Sequence, residues 1–116
     1  MIERYRTQAM ASIWNEDNRL RQWLRVEQMA AAAWAELGVI PREAADCILR
    51  YQRVDARKVR EREAITRHDV AAFVQAVSED LGEAGRYFHY GLTSYDVVDT
   101  ALSLLLREAI DVLLAE

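Results

Sequence analysis

Residues 95–116, Y-D-V-V-D-T-A-L-S-L-L-L-R-E-A-I-D-V-L-L-A-E, decide how the chain is read. Val97, Val98, Ala101, Leu102, Leu104, Leu105, Leu106, Ala109, Ile110, Val112, Leu113 and Leu114 keep helical spacing, with no Gly or Pro to interrupt it. They cover more than one face, and a helix that is apolar nearly all round must be buried on several sides. A five-helix chain of 116 residues offers too little protein to surround it. The segment also ends at Leu113-Leu114-Ala115-Glu116 without a Gly, Asn or Pro terminator, and Glu116 falls at the negative end of the helix dipole. The expectation is that the natural polypeptide continues past Glu116 and that its missing part covers this helix.

Composition agrees with an all-α domain. Four glycines and one proline are too few for the tight turns of a sandwich or barrel. Ala, Leu, Arg and Glu, all strong helix formers, dominate. Apolar residues make up 52% of the chain, which excludes intrinsic disorder, and the length suits one domain rather than two. Cys47 is the lone cysteine and makes no intrachain disulfide, while His68 and His89 lie too far apart in sequence to resemble a zinc pattern. No secretory leader and no apolar run of membrane-spanning length is present, so a cytoplasmic setting is expected. The net charge of −4 is uneven: residues 1–67 sum to +3 and residues 68–116 to −7. The basic run Arg57, Lys58, Arg60, Arg62 is interleaved with Glu61 and Glu63 and lacks stacking aromatics, which reads as a solvated helix face rather than a nucleic-acid surface.

Working back along the chain, the short apolar segment Met10, Ile13, Trp14 precedes a loop, Asn15-Glu16-Asp17-Asn18, that ends in a helix cap. Leu20, Trp23, Leu24, Ala30, Ala31, Trp34 and Leu37 predict an amphipathic helix over 17–37, closed by Gly38. Pro41 near the first helical position opens another to about Tyr51, and Asp55 caps a third through Ile65. Asp69 is placed to cap a helix over 70–81, Gly82 and Gly85 mark a loop, and Thr93 with Asp96 resembles a capping box before a final helix from Tyr95.

Two segments crowd polar residues at breaks rather than on helix faces: Thr66-Arg67-His68-Asp69 and His89-Tyr90-Gly91-Leu92-Thr93-Ser94. Each sits before a helix N-terminus, where free N–H groups and the dipole favour an anion. Arg67 adds a cationic fork, His68 a group able to donate or accept a proton, and Thr93 and Ser94 hydroxyls. Asp69, Thr93 and Ser94 are equally readable as plain caps, and spacing identifies no substrate.

The motifs T-R-H-D-V-A-A-F at 66–73 and H-Y-G-L-T-S-Y-D-V-V-D-T-A at 89–101 together closely resemble the bacterial adenylosuccinate lyase family, in the fumarase/aspartase superfamily. I-E-R-Y at 2–5 and A-W-A-E-L-G-V-I-P at 33–41 extend the resemblance along essentially the whole chain. It implies that residues 1–116 form an N-terminal all-α lyase domain whose last helix leads toward a central helical bundle. Family members eliminate fumarate from adenylosuccinate, giving AMP, and from the succinylocarboxamide ribonucleotide of purine synthesis, using no metal or organic cofactor. By the same resemblance Arg4, Tyr5, Arg67, His68, Asp69, His89, Thr93 and Ser94 bind substrate, with His89 near the phosphate. His68 assists the general acid, while the principal acid and base lie outside this chain, so that the fragment alone is inactive. A purine nucleotide is the expected ligand and a homotetramer the expected assembly, with no nucleic-acid or membrane partner. Tyr95 departs from the family pattern, which has a small hydroxyl residue there. Another lyase or cycloisomerase of the superfamily, or a non-catalytic helical module using the apolar 97–114 face, are the competing expectations.

Overall fold

Asn15 marks the first sharp junction: its side chain accepts the Asn18 N–H at 2.7 Å and starts a 21-residue helix. The computed structural model describes residues 7–115, and within them the elements are α1 (Gln8–Ile13), α2 (Glu16–Glu36), α3 (Arg42–Arg50), α4 (Ala56–Thr66), α5 (Asp69–Leu81), a 3-10 helix (Gly82–Tyr87) and α6 (Ser94–Ala115). No strand is present among the described residues. The all-α reading holds, with local corrections. Residues before Asn15 form a short helix, too brief to show periodicity. Pro41 stands at the N-cap of α3 rather than inside its first turn, and α6 opens at Ser94, one residue early. The Gly82–Tyr87 segment is a 3-10 helix rather than a loop. Gly85 is required there, because a Cβ would sit 2.3 Å from the Ser78 carbonyl oxygen of α5.

The core is centred on Phe73 of α5, wholly buried between Trp23 of α2 and Phe88, at ring-centroid distances of 5.5 and 5.8 Å. Leu20, Leu24, Ile48, Val70, Val77 and Val97 complete it from α2, α3, α5 and α6. A satellite cluster, Ile13 with Leu105 and Ala109, seats α1 on the far half of α6. Beside it Glu108 accepts from Gln22 Nε2 at 2.5 Å and Asn18 Nδ2 at 3.2 Å, tying α6 to α2 through side chains. Among the described residues only one stripe of α6 is covered, Val97, Ala101, Leu105 and Ala109. Leu102, Leu106, Ile110, Leu113 and Leu114 stay exposed. The expectation of burial on several sides is therefore unmet by these residues alone.

The charged helix α4 buries only Val59, and ion pairs hold it to α5. Lys58 Nζ lies 2.8 Å from Asp80 and 3.2 Å from Glu79, and Arg62 reaches Glu79 at 2.8 Å. Hydrogen bonds from Arg62 and then Lys58 hold the Glu79 carboxyl down at about 2, and Lys58 with Tyr51 lowers Asp80. Both carboxylates bind protons more readily when unfolded, so this stabilisation is present above the ordinary carboxylate range and is lost as pH falls. Thermal unfolding followed across pH should show wild-type stability declining from about pH 4.5 towards about 2. Glu79→Gln should flatten that decline and lessen its salt sensitivity; an unchanged pH profile in the variant would contradict the account.

Candidate functional site

The two polar motifs meet where α5 and α6 begin. His68, Asp69, Val70, Thr93, Ser94, Tyr95 and Val98 line one cleft of about 420 Å³. A larger concavity, about 510 Å³, lies beside Asp17, Arg21, Arg53, Asp55 and Arg57 and contains no motif residue. We place the site in the smaller cleft, since its lining carries a proton-transfer group and hydroxyls, whereas the arginines of the larger one are interleaved with carboxylates.

At the start of α5 the cap is His68, not Asp69. The ring Nδ1 accepts the Ala71 N–H at 3.1 Å, and Asp69 is the first helical residue, its carboxylate taking the Val70 N–H at 2.8 Å. An accepting Nδ1 carries no proton, so the neutral ring bears its hydrogen on Nε2. That atom lies 3.4 Å from Ser94 Oγ at the start of α6, a loose contact across the cleft. Capping thereby fixes both the orientation of His68 and the nitrogen that can deliver a proton. At the start of α6 the Asp96 carboxylate accepts from the Thr93 N–H at 2.8 Å and the Thr93 hydroxyl at 3.2 Å. The helix start is thus already served by a side-chain anion, and cations rather than the dipole alone must attract an anionic ligand here.

Arg67 and His89 are the non-glycine residues of the described structure with left-handed backbone, at φ 55° and 67°. Such conformations cost about 1–3 kcal/mol and cluster at functional sites. One falls in each motif. Arg67 follows the last turn of α4, its N–H bonded to the Glu63 carbonyl at 2.8 Å, and so leaves the helix immediately before the His68 cap.

The segment 88–92 reaches α6 along the surface of α2. Phe88 enters the core, and the Tyr90 carbonyl accepts the Trp34 indole N–H at 2.9 Å. Gly91 adopts φ 70° against that indole, where a Cβ would come within 2.8 Å of the ring. His89 turns away from the cleft lining to Glu27 of α2, with Nδ1 2.5 Å from Oε1. Of the predicted residues the structure gathers His68, Asp69, Thr93 and Ser94 into the cleft lining, with Arg67 adjacent in the chain and His89 on α2. Arg4 and Tyr5 lie outside the described residues. Glu27 was not among the predicted residues; its signal was a carboxylate on the buried stripe of α2, in register with Leu20, Trp23, Leu24 and Ala31. Among the described residues no group of three or more His, Cys, Asp or Glu is gathered to hold a metal, and no helix is long and apolar enough to cross a membrane.

A family model described as "Lyase" matches residues 3–116. The chain belongs to this lyase family. It is 53% identical over 116 residues to adenylosuccinate lyase of Bacillus subtilis (strain 168), covering all of this chain and 27% of that protein. It is 50% identical over 119 residues to adenylosuccinate lyase of Aquifex aeolicus (strain VF5), again spanning 27% of the relative. Among solved structures, a fumarate lyase from Mesorhizobium sp. BNC1 superposes with a TM-score of 0.79 at 27% identity, over 90% of this chain and 25% of that one. A 3-carboxy-cis,cis-muconate lactonizing enzyme from Pseudomonas putida does so with a TM-score of 0.83 at 32% identity, over 94% and 26%. The chain thus spans about a quarter of the length of the curated relatives it matches.

Three substitutions at two positions test the local geometry. His68→Ala should cost about 1 kcal/mol in a urea melt by removing the α5 cap, whereas His68→Asn, which keeps an acceptor, should stay near wild type. Arg67→Gly should gain about 1 kcal/mol by relieving the left-handed backbone. Equal losses in both His68 variants, or a destabilised Arg67→Gly, would contradict the assignment.

Proposed function

We propose that residues 1–116 are the N-terminal helical domain of an adenylosuccinate lyase, which releases fumarate by β-elimination from adenylosuccinate and from the succinylocarboxamide ribonucleotide in purine biosynthesis. The observation that carries this reading is the 53% identity to the Bacillus subtilis adenylosuccinate lyase over the whole chain, against 32% to the lactonizing enzyme of similar fold.

The chemistry of the cleft supports it. Such an elimination removes a proton beside a carboxylate, passes through an aci-carboxylate carbanion and protonates the departing nitrogen. The substrate is a polyanion, carrying a phosphate and two carboxylates. Arg67 and the Ser94 hydroxyl supply hydrogen bonds to it, Thr93 joins them when its hydroxyl turns from Asp96, and Arg4 and Tyr5 are proposed to complete the set. His89 is proposed to face the phosphate. His68, its Nδ1 occupied by the Ala71 N–H, offers only Nε2–H to a partner, which suits assistance to a general acid rather than independent base catalysis. Stabilising the negative charge that develops on the carbanion is the largest catalytic task, and it falls to donors fixed in advance by the fold. The principal acid and base are proposed to come from outside these residues, in a cytoplasmic homotetramer that needs no metal or organic cofactor.

The purified chain mixed with adenylosuccinate should release no fumarate above background, while a full-length lyase beginning with this sequence should release it. Turnover by the chain alone would overturn the proposed division of residues. A full-length protein inert toward adenylosuccinate but active on another superfamily substrate would overturn the substrate assignment.

A further inference from the structure

Glu27 is 2% exposed in the middle of α2, and its Oε2 has no hydrogen-bond partner among the described residues. A buried carboxylate that is half satisfied is costly, and apolar residues of similar size commonly fill such places without loss of stability. The fold does not need one here: Leu20, Trp23, Leu24 and Ala31 already provide the packing face of α2. What Glu27 does touch is the ring of His89, with Oε1 2.5 Å from Nδ1. His89 in turn occupies a left-handed backbone conformation at φ 67° that histidine rarely adopts, in a motif that leads to the start of α6. A costly carboxylate and a strained histidine, brought together across 62 positions of sequence, form one unit.

We propose that Glu27 is a positioning residue for His89, holding the ring by its Nδ1–H so that Nε2 is the nitrogen presented to an anionic ligand, the phosphate of the nucleotide. The inference rests on the adenylosuccinate lyase reading, which places His89 at the phosphate. The geometry supports the division of labour. One proton lies between Nδ1 and Oε1, and the ring is four-fifths buried with the carboxylate behind it, which removes its freedom to rotate. Nε2 makes no hydrogen bond among the described residues, and its one-fifth exposed ring is the accessible end of the pair. A phosphate contact needs a hydrogen on Nε2 as well, and Glu27 sets a carboxylate behind the ring, the arrangement by which outer carboxylates orient histidine ligands elsewhere. Glu27 touches no reacting atom.

The test compares the affinities of AMP, which carries the phosphate, and adenosine, which lacks it, in a full-length lyase beginning with this sequence. His89→Ala, Glu27→Gln and Glu27→Leu are measured by calorimetry beside the parent. His89→Ala should lower the AMP-to-adenosine affinity ratio about tenfold, the loss of one charge-assisted contact. Glu27→Leu should lower it as far, and the double variant no further. Glu27→Gln, which retains a neutral acceptor, should fall part of the way, by several-fold. Adenosine affinity should be unchanged throughout, which a general structural lesion would not allow. A wild-type ratio in Glu27→Gln and Glu27→Leu beside a collapsed ratio in His89→Ala would overturn the role of Glu27 and leave His89 at the phosphate. A wild-type ratio in all three would overturn both.

Discussion

One face of α2 determines where the proposed functional residues stand. Leu20, Trp23, Leu24, Glu27, Ala31 and Trp34 share it, recurring at three- and four-residue spacing with Trp23 and Leu24 side by side. The first three bury into the core with Phe73; Glu27 holds the His89 ring, and Trp34 holds the Tyr90 carbonyl. A single rigid helix therefore secures both α5, through Phe73, and the segment that leads to α6, through His89 and Tyr90. The cleft between the starts of α5 and α6 is a consequence of that shared support. Moving the register of α2 by one residue would turn all of these side chains about 100° away from their partners.

The energetics divide along the same lines. The centre is held by apolar burial and by edge-on and tilted aromatic contacts, which need no particular pH. The α4–α5 edge depends on Lys58, Arg62, Glu79 and Asp80, which do. Between these regions lie two left-handed residues, Arg67 and His89, and a buried carboxylate, Glu27. These are the places where local preference and observed structure disagree, and all three fall in or against the two polar motifs. Natural sequences break local rules mainly at functional sites, and the coincidence here is in keeping with that pattern.

Much of this was legible in the sequence because helical periodicity reports burial directly. The spans of α2 through α6, the cap at Asp55 and the polar breaks proposed to carry the site follow from side-chain spacing and cap chemistry, whereas the loop expected over residues 15–18 shrinks to Asn15, which caps a helix already begun at Glu16. Other features were hidden for identifiable reasons. The α1 helix has six residues, too few for a period to register. His68 is an uncommon cap, so the adjacent Asp69 drew the assignment although the imidazole nitrogen performs it. Glycines at 82 and 85 suggested a loop, whereas Gly85 serves a close approach to α5 within a 3-10 turn. Glu27 stands on the apolar stripe of α2 with nothing near it in sequence to mark its partner, which lies in a different motif. The aromatic run Tyr87-Phe88-His89-Tyr90 gave no hint that its members separate, Phe88 to the core, His89 to Glu27 and Tyr90 to Trp34.

The Nδ1 atoms of the two histidines play opposite roles. In His68 that nitrogen accepts a backbone N–H, and in His89 it shares a proton with a carboxylate. A ¹⁵N spectrum of the histidine side chains reads this directly. It should show His68 protonated on Nε2 with Nδ1 bare, and His89 protonated on Nδ1. Two rings with the same averaged signature, as in free histidine, would contradict the arrangement on which the proposed site rests.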